Sequence, residues 1–314
     1  MVRYALPLPS RLNKKFLSRE PSSHSKDDMP MSVEMFPVGA CLLSAPFSAL
    51  TSSRRVTNTW NTYGGGTGTP ALYTLDEALQ LIRFMRGELD IPPLFRSICG
   101  LGPTEDVLGL RNCFDHTQAV LVEINSPVAI CYGRYALSRA QVIETILNPI
   151  RTTPELSAAA SAWYNQGLMA ANSTIRETTA QMLAHATPDS LPDADLVRAV
   201  IVDARPRQRD FDSLVEGLAE IRAAFGVPTG VVTYTYQYMP DGRPLPWPAD
   251  FVDQTIAVAR KLDLPIFQPS EIVRSHGASR ALAPDRVHYQ PEFAAVLAEA
   301  LWKFICSFVD VANK

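Results

Sequence analysis

Solid apolar runs separated by amphipathic stretches organise this 314-residue chain. Residues 33–41 alternate briefly, turn apolar and end at Gly39-Ala40-Cys41, the pattern of a buried strand meeting a turn. Residues 118–124 hold Ala-Val-Leu-Val-Glu-Ile and stop at Asn125-Ser126-Pro127, which predicts a second buried strand. Further strands are predicted at 54–60, 196–202, 230–236 and 264–267. Helices are predicted at 42–51, 75–86, 138–148, 155–186, 210–225, 249–262 and 290–308. Thr74 caps the second of these and Gly226 closes the fifth. Residues 61–70, with Gly64, Gly65, Gly66 and Gly68, read as a loop. Strands alternate with helices, and several are apolar throughout rather than at every second position. That combination predicts an α/β fold, a three-layer α/β/α sandwich with a mostly parallel sheet covered on both faces.

Sites in such folds lie beyond the carboxyl ends of the strands. The chemically capable residues fall there: Cys41 after the first strand, Gly64–Gly66 after the second, Asn125 after the third, and Asp285 with His288 before the last helix.

Charge and cysteine content narrow the classes. The formal net charge is −3, and no basic run interleaves with aromatics, so nothing points to nucleic acid. The five cysteines are odd in number and form no Cys-x-x-Cys pair. They read as free thiols in a reducing, cytoplasmic setting rather than as disulfides or a metal site. No apolar stretch reaches the ~20 residues of a membrane span. Residues 1–30, basic and Ser/Pro-rich, read as a disordered tail or an upstream start, with one domain over 31–314 carrying a helical insertion around 155–186.

Asp285 and His288 stand three apart in Ala-Pro-Asp-Arg-Val-His-Tyr, so one loop presents both. A carboxylate there takes the proton of one imidazole nitrogen and leaves the other as a base. Cys41, at the start of a helix, is in a setting that favours thiolate; a buried structural thiol is the competing reading, and Ser44 is a competing nucleophile one turn on. Asn125 suits an oxyanion donor or a plain turn. Arg205, Arg207 and Arg209 suit an anion clamp or a solvated ion-paired loop. His276, in Ser-His-Gly, is a candidate substrate contact or a surface residue. Tyr234, Tyr236, Tyr238 and Trp247 line a pocket or pack a strand end.

In this order the motifs resemble the SGNH (GDSL-type) hydrolase superfamily. Val38-Gly39-Ala40-Cys41-Leu42, Asn61-Thr62-Tyr63-Gly64 and Asp285-Arg286-Val287-His288-Tyr289 are closest in pattern to its GSCFA-domain branch. The Gly-x-Cys opening is also similar to capsule-polysaccharide acetyltransferases that begin Gly-Asn-Cys. The resemblance implies a flavodoxin-like sheet, Cys41 as nucleophile, His288 as base, Asp285 as its orienting partner, and Gly65 with Asn125 in the oxyanion hole. It implies an acyl-ester hydrolase or O-acyltransferase acting on a small-molecule or glycan ester. No cofactor is implied, and acetyl-CoA is a co-substrate in the transferase version. Gly-Ala-Cys replaces the usual Gly-Asp-Ser, and Glu123 stands where a glycine precedes the Asn. These departures keep open a second reading, a catalytically inactive module that binds a glycan or acylated ligand.

Overall fold

The fold was analysed in a computed structural model that describes residues 32–64, 70–102, 107–235, 246–285 and 288–312, excepting the side chains of 41, 107–108, 246–249 and 310–312. The strands are β1 (Val33–Val38), β2 (Val56–Asn58), β3 (Ala119–Glu123), β4 (Val128–Tyr132), β5 (Tyr135–Leu137), β6 (Arg205–Gln208), β7 (Thr229–Val232) and β8 (Ile266–Phe267). Five of them form one sheet in the order β2-β1-β3-β7-β8, every pair parallel. The principal helices around it are α1 (Cys41–Ser52), α2 (Thr59–Tyr63), α3 (Leu75–Met85), α4 (Val107–His116), α5 (Phe211–Phe225), α6 (Pro246–Lys261) and α7 (Pro291–Ala312).

Successive side chains of a strand face opposite ways, so a strand buried on both faces is apolar at every position. β3 does this: Val120 and Val122 pack with Phe36, Val38 and Val231 under α3 and α5, while Ala119 and Leu121 pack with Met35, Val232 and Phe267 under α1 and α7. The result is a three-layer α/β/α sandwich. Glu123 follows Val122 and continues the alternation onto the α1 face.

The order 2-1-3 makes the β1/β3 junction the switch point of the sheet, where successive connections leave in opposite directions. Gly39, Ala40 and Cys41 follow β1 there, and Asn125 and Ser126 follow β3.

Several predicted elements differ; the strand predicted at 230–236, for example, ends at Val232. Residues 196–202 are not a strand; they lie in a helix, Ala194–Asp203. Its buried positions are Val197, Val200 and Ile201, a helical stripe, whereas Val202 is 44% exposed. A short apolar run does not distinguish the two states by itself. The strand predicted at 54–60 stops at Asn58, because the Asn58 side chain accepts the Trp60 N–H and caps α2. The predicted helix at 155–186 is broken at 170–172, with Pro154–Ser161 and the π-helical Ala162–Met169 before the break and Ser173–Ala186 after it. A small antiparallel sheet, β5-β4-β6, frames the start and end of this helical insertion.

Candidate functional site

β1 passes directly into α1 through Gly39 and Ala40. A Cβ on Gly39 would lie 2.9 Å from Glu123 Cβ, so only glycine lets the start of α1 settle on β3. Ala40 occupies the cap position and has no side-chain group to cap with. Glu123 supplies the cap from the neighbouring strand: its Oε2 accepts the N–H groups of Ala40 and Leu43, each at 3.1 Å. Its Oε1 is buried without a hydrogen bond. Burial pushes the Glu123 carboxyl up to about 7, against the pull of the two N–H donors.

Asn125 is 6% exposed. The N–H groups of Asn125 and Ser126 both donate to Tyr73 O at 2.9 Å. Tyr73 N donates to Glu77 Oε2 at 2.7 Å, and Thr74 Oγ1 accepts Glu77 N–H. The Asn125 backbone is thereby tied to the first turn of α3. Asn125 Oδ1 and Thr233 Oγ1, just beyond the ends of adjacent β3 and β7, are buried without hydrogen bonds.

The last part of the site is the loop before α7. His288 Nδ1 lies 2.6 Å from Asp285 Oδ2, and His288 N–H donates to Asp285 Oδ1 at 3.0 Å. The same carboxylate therefore fixes both backbone and ring. The loop is moored on either side. Tyr289 bridges to Leu282, and its hydroxyl meets Thr235 Oγ1 at 2.5 Å, just beyond β7. Both side chains of the dyad are 43% exposed, so solvent and ligands reach the imidazole.

Beside Gly39 and Ala40 lies a cavity of about 400 Å³, bounded by Leu43, Ser44, Phe47, Asn61 and Tyr73 among others. Its described lining residues carry no formal charge.

The sequence candidates fall as follows. Cys41 is the first residue of α1, and its side chain lies outside the described residues. Gly65, Tyr236, Tyr238, the Trp247 side chain and residues 1–30 also lie outside them. Gly64 N–H is engaged by Trp60 O, at the end of α2. Ser44 faces the cavity. His276 closes the helix Pro269–His276, and its ring packs 5.0 Å from Phe293, which also contacts Tyr289; this brings it near the dyad loop. Arg207 and Arg209 lie in and just after β6 and share one buried carboxylate, Asp76. Arg205 donates to the carbonyls of Val202 and Ala204. The thiols of Cys99, Cys113 and Cys131 are buried, which pushes them up to about 12, 11 and 11, far from thiolate at neutral pH. Glu123 and Glu77 were not singled out as functional residues from sequence. The signal for Glu123 was present, because a carboxylate interrupts an otherwise apolar strand.

The fold and this carboxyl edge define an α/β/α-sandwich domain with its candidate site at the switch point of the sheet. Residues 33–304 match the TviD N-terminal domain, and the chain belongs to that family. No curated protein and no solved structure matches it.

Proposed function

We propose that the chain is an acyl-ester hydrolase or O-acyltransferase built on a Cys41–His288–Asp285 constellation. Cys41 sulfur attacks the ester or thioester carbonyl, forming the C–S bond as the carbonyl takes up negative charge. His288 accepts the thiol proton and passes it to the departing alcohol or thiol as the C–O or C–S bond of the substrate breaks. Water or a sugar hydroxyl then attacks the thioester, loses its proton to His288, and releases Cys41. Asp285 holds the Nδ1–H tautomer of the imidazole throughout. Asn125 donates to the oxyanion, a contact worth about 3 kcal/mol at such sites. The acetyl-group donor of a transferase version would be acetyl-CoA.

The observation that supports this reading most is a shared core. Leu42 and Leu43, the residues that follow Cys41, belong to the same hydrophobic cluster as Tyr289, which follows His288, and Phe293. The uncharged cavity beside Gly39 and Ala40 suits a neutral acyl or sugar moiety. The buried thiols of Cys99, Cys113 and Cys131 are free, which fits a reducing, cytoplasmic setting. No described helix is long and apolar enough to cross a membrane.

The test is p-nitrophenyl acetate cleavage by wild type, Cys41→Ala and His288→Ala. Each variant is expected to lose on the order of 10³-fold or more in turnover, since members of such a unit act together. Equal rates in all three proteins would reject the assignment and leave a binding module.

A further inference from the structure

Glu123 joins the two halves of the candidate site through a single side chain. It is the last residue of β3, two before Asn125, and only 2% of it is exposed. Its Oε2 holds the N–H groups of Ala40 and Leu43, and the backbone of Cys41, the first residue of α1, lies between them. Gly39 packs so close to its Cβ that an added methyl would clash. The start of α1 and the strand that leads to Asn125 are therefore pinned together at one carboxyl group.

A helix start is ordinarily capped by a side chain of its own segment, most often a short polar one. Here the cap comes from another strand, is acidic and is buried, and its Oε1 meets no hydrogen-bond donor. The helix terminus favours a negative charge. With Cys41 in the first turn, the Glu123 carboxylate and a Cys41 thiolate compete for that place, and like charges so confined oppose each other's ionisation. Burial already pushes Glu123 up to about 7, so near neutral pH it holds its proton part of the time.

Few other charges bear on this position. α1, β2 and β7 carry no charged residue, and Glu34 of β1 lies at the opposite end of its strand. On this face of the sheet, Glu271, Arg274, Glu292, Glu299 and Lys303 are exposed. Glu77 lies on α3, which packs on the other face. Among the described residues, the ionisable groups left near the carboxyl edge on this side are Asp285, His288 and His276.

We propose that Glu123 is a positioning residue for Cys41: it holds the backbone around residue 41 to the strand that leads to Asn125, and its charge sets how readily the Cys41 thiol ionises. Cys41 becomes a thiolate most readily while Glu123 keeps its proton. That this thiol attacks an ester rests on the proposed function; its coupling to Glu123 does not.

Alkylation of Cys41 by iodoacetamide across pH, mapped by peptide mass spectrometry in wild type and Glu123→Gln, tests this without ester turnover. The glutamine oxygen keeps the two N–H bonds and removes the charge. The midpoint of the Cys41 profile should fall by about one pH unit in the variant. A less basic thiolate is also less nucleophilic. The variant should therefore alkylate about threefold faster on the acid side and about threefold slower on the alkaline plateau. A mere loosening of the fold would raise the rate at every pH, and His288 titrates in both proteins. Cys306, late in α7, should react alike in both. Coincident Cys41 profiles, or a midpoint that rises in the variant, would overturn the proposal.

A second measurement leaves Glu123 in place. In His288→Ala, where that imidazole no longer titrates, Cys41 is converted to its carboxymethyl or its carbamidomethyl adduct, which differ by one charge at nearly equal size. The Tm of the charged adduct should fall increasingly below that of the neutral one as pH rises from about 5 to about 8, because Glu123 then ionises beside it. A gap that stays constant would overturn the proposal. Loss of p-nitrophenyl acetate cleavage in Cys41→Ala tests the ester reading separately, so either reading can fail alone.

Discussion

Glu123→Gln isolates the energetic cost of placing a carboxylate under the start of α1. In the unfolded chain this group titrates near 4.5, and in the folded protein burial raises it to about 7. The folded state therefore holds a proton that the unfolded state releases between those two values, and stability falls as pH rises through the interval. The shift corresponds to about 3 kcal/mol, all of it present below about pH 4.5 and lost by about pH 7. A glutamine amide oxygen can accept the same N–H groups of Ala40 and Leu43 without ionising. The variant should match wild type at about pH 4 and exceed it by about 3 kcal/mol at about pH 8. Urea midpoints at the two pH values give the difference, in which Glu77 and all surface groups cancel. Because the group is buried, added salt should change the result little. The opposing force is the helix terminus, which favours an anion. Should wild type gain on the variant as pH rises, that attraction outweighs desolvation and the reasoning above is reversed.

Gly39→Ala should cost about 1–3 kcal/mol, because the new methyl meets Glu123 Cβ at 2.9 Å inside a packed junction, and urea unfolding measures it. Asp76→Ala leaves Arg207 and Arg209 without their shared carboxylate, which is itself buried. A loss of about 3–5 kcal/mol is expected in the same assay, and a change under about 1 kcal/mol would mark the pair as solvated. Asp285→Asn removes the partner that orients His288. Ester turnover should fall on the order of 10³–10⁴-fold while stability moves by less than about 1 kcal/mol, the dyad being half exposed.

The main sheet was legible because its strands are buried on both faces, which writes them as unbroken apolar runs such as residues 118–124. The small sheet was not, since Arg205–Gln208 carries almost no apolar residue and is held by pairing with β4. The run 196–202 misled because seven apolar-rich residues fit a strand and a helix equally until Val202 is seen facing solvent. The Asp285–His288 contact could be anticipated, as three-residue spacing is a local property. Which arginines pair with what could not. Arg207 and Arg209 reach Asp76 across more than a hundred residues of chain, and only tertiary packing decides this.

The most direct test of acyl transfer through Cys41 is the intact mass of the protein, quenched during reaction with p-nitrophenyl acetate and then mapped by peptide. One acetyl group on Cys41, absent from Cys41→Ala, is the predicted result. Ester cleavage that proceeds with the acetyl group on Ser44 or another residue, or with no adduct and undiminished rate in Cys41→Ala, would contradict it.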